Sequence, residues 1–381
     1  MNAFTQITIE GYRRLFDLNL ELRPLTVMIG ANGVGKTSFL EIFSLLAASA
    51  KGQLQSQISE LSGLSQIVTR DKTDAIGISL SVPVPDGQPL HYYLKLVLKG
   101  QFYEIARETL AQHADAVSMQ YIDSRGLDIK YYSTEDGQLL RPNWEHNPLE
   151  TSLSQVPKMY QQPENIRTRL ANCAFYSAGN LNVSPRSPAR LPQQMRPAKL
   201  PGAKVETLVS CLYYLRETNP DRFEIVQDTL AAAFPDFERL GFPPVAAGTL
   251  ALTWKDKNFS EPFYMDQLSE GTLRFLWLVT LLQSQELSAV TMIDEPEVCL
   301  HPELLRLLAD VMREAAQRTQ LIVATHSDRL IRFLDPREVL VCDAVSGLTT
   351  MTWADSLDLD KWLIDYSLDE IWAMNLIGGR P

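Results

Sequence analysis

Three short apolar runs in the sequence are each followed directly by residues of types that commonly take part in binding or catalysis. The runs cover residues 25–29, 290–293 and 321–324, and several of their members are β-branched. Continuous apolar stretches of this length, bounded by glycine or polar residues, are typical of strands buried on both faces of a sheet. The pattern therefore predicts three buried strands. A glycine-rich loop, two carboxylates and a histidine follow them directly.

The spacing of other apolar residues predicts helices. Residues 38–46 form a helical pattern after the glycine-rich loop, and residues 205–234 place their apolar side chains on one helical side. A further apolar helix is predicted over 273–279. Residues 131–204 are rich in Pro, Asn, Gln and Ser and are expected to be irregular.

Two further segments have the composition of strands. Residues 76–82 and 92–98 are rich in apolar and β-branched or aromatic residues, and a turn with Asp86-Gly87 separates them. They predict neighbouring antiparallel strands in a smaller lobe.

The glycine-rich loop lies between a predicted strand and a predicted helix. This is the arrangement of a P-loop, in which backbone N–H groups and a helix N-terminus bind phosphate. In this interpretation Lys36 reaches the β- and γ-phosphates of a nucleotide and the Thr37 hydroxyl binds Mg²⁺. A chance glycine-rich turn is the alternative. The candidate nucleotide-binding residues are Gly30, Ala31, Asn32, Gly33, Val34, Gly35, Lys36, Thr37 and Ser38.

Two adjacent carboxylates end the second predicted strand. Asp294 is a candidate Mg²⁺ ligand, directly or through water. Glu295 is a candidate general base that orients and deprotonates an attacking water. A strand end holds such a carboxylate rigidly, beside a metal-held phosphate. An exposed acidic turn after a core strand is the alternative interpretation.

A histidine, His326, ends the third predicted strand. It is a candidate catalytic residue that contacts the γ-phosphate or the attacking water. A single histidine after a strand is also common as a structural residue. Its position 32 residues after Asp294 favours the catalytic interpretation.

A second short motif, residues 268–272, opens the helix predicted over 273–279. Ser269 is a suitable N-cap, so a capped helix start is the simplest interpretation. In the functional interpretation, the Ser269 hydroxyl and the Gly271 amide bind a phosphate.

Taken in order, these motifs resemble those of ABC-type ATPase heads of the SMC/RecF superfamily, above all the compact RecF-like AAA ATPases of bacteria and archaea. Asn32-Gly33 gives the loop the ABC form of Walker A. The other matching segments are the signature motif at 268–272, Walker B at 294–296, a D-loop-like segment at 297–302 and the H-loop at His326.

The resemblance implies an α/β fold. It implies a P-loop NTPase head with a mixed, parallel-core sheet, an antiparallel β lobe and an inserted helical segment. The expected division of the chain is 1–75 for the first part of the head, 76–130 for the β lobe, 131–245 for the inserted lobe and 246–381 for the second part of the head.

The resemblance also implies ATP and Mg²⁺ as cofactors and a homodimer as the working form. Two copies would enclose two ATP molecules, each bound by Walker A of one copy and by Ser269 and Gly271 of the other. Thr37 and Asp294 would hold Mg²⁺. The implied catalytic residues are Lys36, Glu295 and His326.

The chain departs from its larger relatives in several places. Gln66 is a weak candidate for the Q-loop glutamine, and an ordinary surface glutamine is the alternative. There is no Cys-x-x-Cys hook and no sustained heptad pattern, so a long coiled coil is not expected. About 55 residues follow His326, fewer than the nuclease domain of some relatives requires.

Composition limits the cellular location that we expect for the protein. No apolar run of about 18 residues predicts a membrane span, and Met1 to Gln6 lack the pattern of a signal peptide. The four cysteines form neither a zinc spacing nor a disulfide framework. We therefore expect a cytoplasmic protein without a membrane partner.

Charge limits the possible contacts with nucleic acid. The net charge of −11 argues against general nucleic-acid coating. Residues 157–204 nevertheless contain eight basic residues and a single acidic one, Glu164. This segment could bind a nucleic-acid backbone, or it could be solvated or dock onto an acidic surface of the same chain.

Several biological tasks remain open. The first is an ATPase that acts on DNA in repair or genome maintenance. The second is the ATPase or sensor part of an anti-phage defence or toxin-like system with a separate effector protein. The third is a slow nucleotide switch that assembles a partner protein. A transporter ATPase is a weaker fourth, because a clear Q-loop is lacking.

Overall fold

The computed structural model describes residues 3–85, 87–114, 117–133, 137–179, 181, 184, 186–359 and 361–379. Met1 and Asn2, Asp86 of the predicted turn, and the terminal Arg380 and Pro381 lie outside the described residues.

The strands of the described part of the chain differ widely in length. In chain order they are β1 (Gln6–Glu10), β2 (Leu18–Glu21), β3 (Leu25–Ile29), β4 (Ala75–Val82), β5 (Leu90–Lys99), β6 (Phe102–Ala114), β7 (Val117–Arg125), β8 (Asp128–Ser133), β9 (Gln138–Leu140), β10 (Cys173–Ser177), β11 (Gln193–Gln194), β12 (Phe237–Gly241), β13 (Pro244–Ala246), β14 (Thr249–Leu250), β15 (Thr253–Asp256), β16 (Phe263–Tyr264), β17 (Val290–Asp294), β18 (Gln320–Ala324), β19 (Val339–Val345) and β20 (Leu348–Trp353).

The α-helices of the same residues are α1 (Lys36–Ala50), α2 (Leu54–Glu60), α3 (Leu64–Ile67), α4 (Ser152–Gln155), α5 (Gln161–Ala171), α6 (Leu208–Thr218), α7 (Pro220–Ala233), α8 (Glu270–Gln283), α9 (Leu304–Ala315), α10 (Asp328–Ile331) and α11 (Leu368–Ala373). Single 3-10 turns lie at Pro188–Arg190, Met265–Gln267, Pro336–Glu338 and Ala354–Ser356.

The central sheet of the described residues has six strands, in the order β10-β17-β18-β3-β19-β20. All neighbouring pairs are parallel except β19 and β20, which are antiparallel. The register pairs Asp294 with Ala324, so that β17 and β18 end side by side. This confirms the mixed, parallel-core sheet and the three strands predicted from apolar runs.

Both faces of this sheet are covered, which explains the continuous apolar runs. Val27 and Ile29 of β3 join a core that includes residues of α6, α7, α8 and α9. Met28, between them, faces a second core formed with α1 and the antiparallel strands. Because successive residues of a strand point to opposite faces, both faces of β3 are buried and its residues are apolar except for Thr26, which is buried too.

The predicted antiparallel lobe is an eight-stranded sheet, β2-β1-β4-β5-β6-β7-β8-β9, as far as the described residues extend. The predicted strands over 76–82 and 92–98 are confirmed as parts of β4 and β5, which pair through Leu80 and Tyr92. The sheet also takes in β1 and β2 before the P-loop. The division of the chain into four segments stays a prediction.

The inserted region is more ordered than its composition indicates. The helical pattern over 205–234 is confirmed as α6 and α7, which meet at Asn219, the N-cap of α7. Residues 131–204, expected to be irregular, also contain α5 and β10. The expectation was wrong for β10, because this edge strand is stabilised by pairing with β17, far along the chain.

Candidate functional site

Glycines shape the loop between β3 and α1. A Cβ on Gly30 would lie 2.2 Å from the carbonyl oxygen of Cys342 on β19, so only glycine fits there. Gly35 has a φ of 112°, which side-chain-bearing residues rarely adopt, and it is the N-cap of α1. A Cβ at Gly35 would also meet the Thr349 hydroxyl at 2.5 Å. The chain therefore turns sharply into α1, and the N-terminus of this helix faces the loop.

Lys36 is buried inside the loop. Its Nζ donates hydrogen bonds to the carbonyl oxygens of Gly30 at 2.6 Å and Ala31 at 2.9 Å. Nζ also lies 3.3 Å from Nδ1 of His326. Burial lowers the pKa of Lys36. The lysine occupies the centre of the loop, where a P-loop binds phosphate.

His326 connects this lysine with the second strand end. An ammonium only donates hydrogen bonds, so Nδ1 facing Lys36 is the acceptor and Nε2 carries the hydrogen. Nε2 lies 3.9 Å from Oε1 of Glu295. Burial, and secondly the charge of Lys36, lower the pKa of His326. A neutral imidazole thus lies between a cation and a carboxylate.

Glu295 has an unusual backbone. Its φ of 52° is left-handed, a conformation that costs a residue with a side chain about 1 kcal/mol or more. The Glu295 N–H donates to the Ala324 carbonyl at 2.8 Å, which ties this turn to β18. A Cβ on Gly179 would lie 3.0 Å from Oε2, so glycine leaves room for the carboxylate. The strained turn directs a partly exposed carboxylate toward the loop and His326.

Asp294 and Thr37 supply oxygen atoms suited to Mg²⁺. The Thr37 hydroxyl hydrogen-bonds the Asp294 carboxylate. Burial, followed by the nearby charge of Glu295, raises the pKa of Asp294 to about 6. Mg²⁺ prefers hard oxygen ligands and commonly takes only one or two carboxylates beside the phosphates. The donor set at this strand end therefore fits Mg²⁺.

Glu297 makes contacts beside His326 that the sequence did not reveal. Its Oε1 accepts hydrogen bonds from the Thr325 hydroxyl at 2.6 Å and from the His326 N–H at 3.0 Å. Burial raises the pKa of Glu297. The only signal in the sequence was a third acidic residue in the turn after β17, and its contact with residues 325 and 326 depends on the adjacency of β17 and β18.

The signature segment lies on a separate surface. Ser269 is the N-cap of α8, and its Oγ accepts from the Thr272 N–H at 3.1 Å. Ser269 and Thr272 line a cavity of about 310 Å³ together with Trp254. Gly33 and Ser38 of the P-loop line a different cavity, of about 680 Å³. The structure thus brings together Lys36, Asp294, Glu295 and His326, but it does not bring Ser269 into the cavity of its own P-loop.

Gly271 has a packing role that the sequence did not reveal. A Cβ on Gly271 would lie 2.6 Å from the carbonyl oxygen of Cys299. Cys299 belongs to the D-loop-like segment and has a φ of 62°. The glycine therefore allows the signature helix to approach the segment that follows Walker B.

The weak Q-loop candidate, Gln66, lies on α3. It lines the cavity of about 680 Å³ with Gly33 and Ser38. Its side-chain oxygen accepts a long hydrogen bond of 3.4 Å from Arg70. Arg13, Arg14 and Lys72 line the same cavity, which gives it a basic character. The role of Gln66 stays a prediction.

Several basic residues of segment 157–204 contact the chain itself. Arg169 donates to the Ala3 and Pro83 carbonyls, and Lys199 pairs with Glu286 at 2.6 Å. Arg167 pairs with Glu164, and Arg190 donates to the Leu268 carbonyl at 2.8 Å. These contacts agree with the alternative in which the segment docks onto its own chain. Arg186 and Arg196 have exposed side chains.

In the part of the chain that the structure describes, no helix has both the length and the apolar character that a membrane crossing requires.

A family model matches residues 25–332, which include every motif described above. Its description is "AAA domain, putative AbiEii toxin, Type IV TA system". No curated protein matches the chain.

Solved structures with a similar fold include heads of SMC proteins. One is an SMC head bound to the C-winged helix domain of ScpA, with 13% identity and a TM-score of 0.56 over 95% of this chain and 99% of that chain. Another is the Smc head from Pyrococcus furiosus with an extended coiled coil, bound to the C-terminal domain of ScpA. It has 12% identity and a TM-score of 0.54 over 98% of this chain and 100% of that one. At these identities the likeness shows the fold, which is that of an SMC head domain.

Proposed function

Because the chain belongs to the AAA family described as "AAA domain, putative AbiEii toxin, Type IV TA system", we propose that it binds ATP with Mg²⁺ and hydrolyses the ATP. One observation carries this proposal. Lys36, His326 and Glu295 come from three separate motifs, yet Nζ of Lys36 lies 3.3 Å from one imidazole nitrogen and Oε1 of Glu295 lies 3.9 Å from the other.

In this proposal each group of site residues has a separate task in ATP hydrolysis. The loop N–H groups, the N-terminus of α1 and Lys36 bind the phosphates. Thr37 and Asp294 hold Mg²⁺, which when bound supplies positive charge that stabilises the transferred phosphoryl group. Glu295 accepts a proton from the attacking water at its carboxylate. His326 donates from Nε2 and positions the groups around that water.

We further propose that two copies assemble around two ATP molecules. Ser269 is exposed and lines a cavity apart from that of the P-loop. Its hydroxyl and the first N–H groups of α8 are suited to phosphate binding, because a helix N-terminus carries partial positive charge. In this assembly they bind the ATP held by the other copy, and hydrolysis releases the two copies.

Phosphate release by the purified chain, with ATP and with or without Mg²⁺, tests the hydrolytic activity. Lys36→Ala removes the central phosphate ligand and should abolish both ATP binding and hydrolysis. Lys51→Ala is the matched control, because Lys51 is an exposed lysine just after α1. Equal hydrolysis by wild type and Lys36→Ala would refute the proposal.

The biological task is a further part of the proposal. The SMC-like fold supports an ATPase that acts on DNA in repair or genome maintenance. The family description supports the alternative, an ATPase or sensor in a toxin-like or anti-phage system with a separate effector protein. The solved SMC heads bound to ScpA domains support a role for a partner protein. A slow nucleotide switch that assembles such a partner is the third option.

DNA binding discriminates between these tasks. If the exposed side chains of Arg186 and Arg196 contact phosphates, replacing both by alanine should reduce the slope of log affinity against log salt by about 2. DNA should then also stimulate ATP hydrolysis. An ATPase rate that is indifferent to DNA would favour the effector or switch alternatives.

A further inference from the structure

An arginine from a distant part of the chain holds the turn that precedes the signature serine. Nη1 of Arg190 donates hydrogen bonds to the carbonyl oxygens of Met265, Asp266 and Leu268, at 3.1, 3.0 and 2.8 Å. Leu268 comes directly before Ser269. A cation that joins three acceptors within one turn fixes the path of the backbone from which the serine side chain extends.

Arg190 is itself held in place. It ends the 3-10 turn Pro188–Arg190, where the Ser187 hydroxyl oxygen accepts from the Ala189 N–H at 3.1 Å. The side-chain amide of Gln193 donates to the Pro188 carbonyl at 2.9 Å. The Gln193 oxygen accepts from the Val209 N–H of α6 at the same distance. The guanidinium therefore extends from a turn anchored on α6.

The charge of Arg190 affects the pKa of a residue in the signature motif. The pKa of Glu270, the first residue of α8, lies below its ordinary value, chiefly because Arg274 hydrogen-bonds its carboxylate, and the charge of Arg190 lowers it further. Arg190 thus adds positive charge beside the helix N-terminus at which Ser269 is the cap.

We infer that Arg190 is a positioning residue for the signature motif: by holding the carbonyls of residues 265, 266 and 268, it directs Ser269 toward the ATP bound by the second copy. This inference rests on the proposed function, in which the signature motif acts across the dimer. Arg190 touches the turn rather than the nucleotide. It therefore serves the ATP site of the other copy and leaves the P-loop of its own copy unaffected.

Single variants test the first half of this inference. Arg190→Ala should lower kcat roughly 10-fold to 100-fold, because small displacements of a group that contacts the reacting phosphate have effects of this size. Binding of a fluorescent ATP analogue should stay at the wild-type level. Arg190→Lys keeps a charged donor and should recover much of the rate. Arg141→Ala, an exposed arginine just after β9, is the matched control and should hydrolyse ATP normally.

Mixed dimers test the second half. Neither Arg190→Ala nor Lys36→Ala should hydrolyse ATP well alone, but a mixed dimer has one site with an intact P-loop and an intact signature motif. An equimolar mixture should reach about a quarter of the wild-type rate, since half of the dimers are mixed and each has one intact site of two. A structural role of Arg190 within its own nucleotide site would give no such recovery.

A parallel mixture separates this inference from the proposed function. Ser269→Arg with Lys36→Ala should also recover activity if the signature motif acts across the dimer. Failure of that mixture would refute the dimer proposal itself. Recovery there, without recovery for Arg190→Ala, would overturn the role of Arg190. Loss of ATP binding by Arg190→Ala would overturn it as well, because the effect would then reach the P-loop of the same copy.

Discussion

Lys36 and His326 are 290 residues apart in the sequence, and Nζ of the lysine lies 3.3 Å from Nδ1 of the histidine. The same ammonium also donates to two carbonyls of the loop. Phosphate oxygens would compete with the loop carbonyls and the imidazole for these hydrogens. The contact therefore joins phosphate binding to the position of His326, and through Nε2 to Glu295.

Glu295→Gln should retain ATP binding and lose hydrolysis. Glutamine keeps the shape of the side chain but cannot accept the proton from water, and loss of a general base costs about 10²-fold to 10⁴-fold in rate. The ATP-bound dimer should then persist, as measured by sedimentation velocity with ATP and Mg²⁺. The control is Glu303→Gln, whose side chain is 89% exposed. A monomeric Glu295→Gln variant under these conditions would contradict the sandwich arrangement.

Ser269→Arg should bind ATP normally and fail to hydrolyse it, because the bulky cation would block contact with the ATP of the other copy. Some stability will also be lost, since removal of a Ser N-cap costs about 1 kcal/mol. Ser269→Ala removes the same cap without the bulk, so comparing the two variants by thermal unfolding and phosphate release separates the effects. Full activity of Ser269→Arg would exclude a role in the second site.

Glu297→Ala should lower kcat about 10-fold, with little change in KM. The substitution leaves the Thr325 hydroxyl and the His326 N–H without their carboxylate acceptor, so that the histidine is less well positioned. Glu297→Gln keeps an oxygen at the Oε1 position and should retain most of the rate. Steady-state kinetics of the two variants check this prediction. Equal losses of kcat in both variants would show that these hydrogen bonds do not determine the rate.

Asp294 should make the nucleotide-free protein less stable as the pH rises. Its pKa is raised from 3.8 to about 6, with burial as the main cause. Between these values the native state holds a proton that the unfolded state has lost, so the free energy of unfolding falls as the pH rises from about 4 to above 6. Asp294→Asn should weaken this dependence in denaturant titrations at several pH values. An identical pH profile in the variant would show that other groups cause it.

The parts of the fold that could be predicted are those where the pattern of apolar residues in the sequence matches the burial of the same residues in the structure. Strands β3, β17 and β18 are buried on both faces, so each appears as a mainly apolar run without alternating polar positions. The P-loop and the carboxylate pair were predicted for the same reason, since they follow these strands directly. Strand β10 lies at the edge of the sheet and is only partly buried, so its short mixed sequence gave no comparable signal.

The contacts that could not be predicted join residues far apart in sequence. Arg190 was one of eight basic residues that a nucleic-acid backbone could explain equally well. Only the folded chain shows its guanidinium on the carbonyls before Ser269. Glu297 likewise gained its role from the side-by-side ends of β17 and β18, which no local pattern specifies.

The segment that follows β10 contacts both the end of β17 and the turn before Ser269. The Ala178 N–H donates to the Asp294 carbonyl at 3.0 Å, Gly179 faces the Glu295 carboxylate, and Arg190 then holds the turn before Ser269. In the proposed dimer this stretch of each copy would touch both ATP sites. Linkage then requires that ATP in either site change the affinity of the other by the same factor. This stretch would therefore carry any communication between the two ATP sites of the assembly.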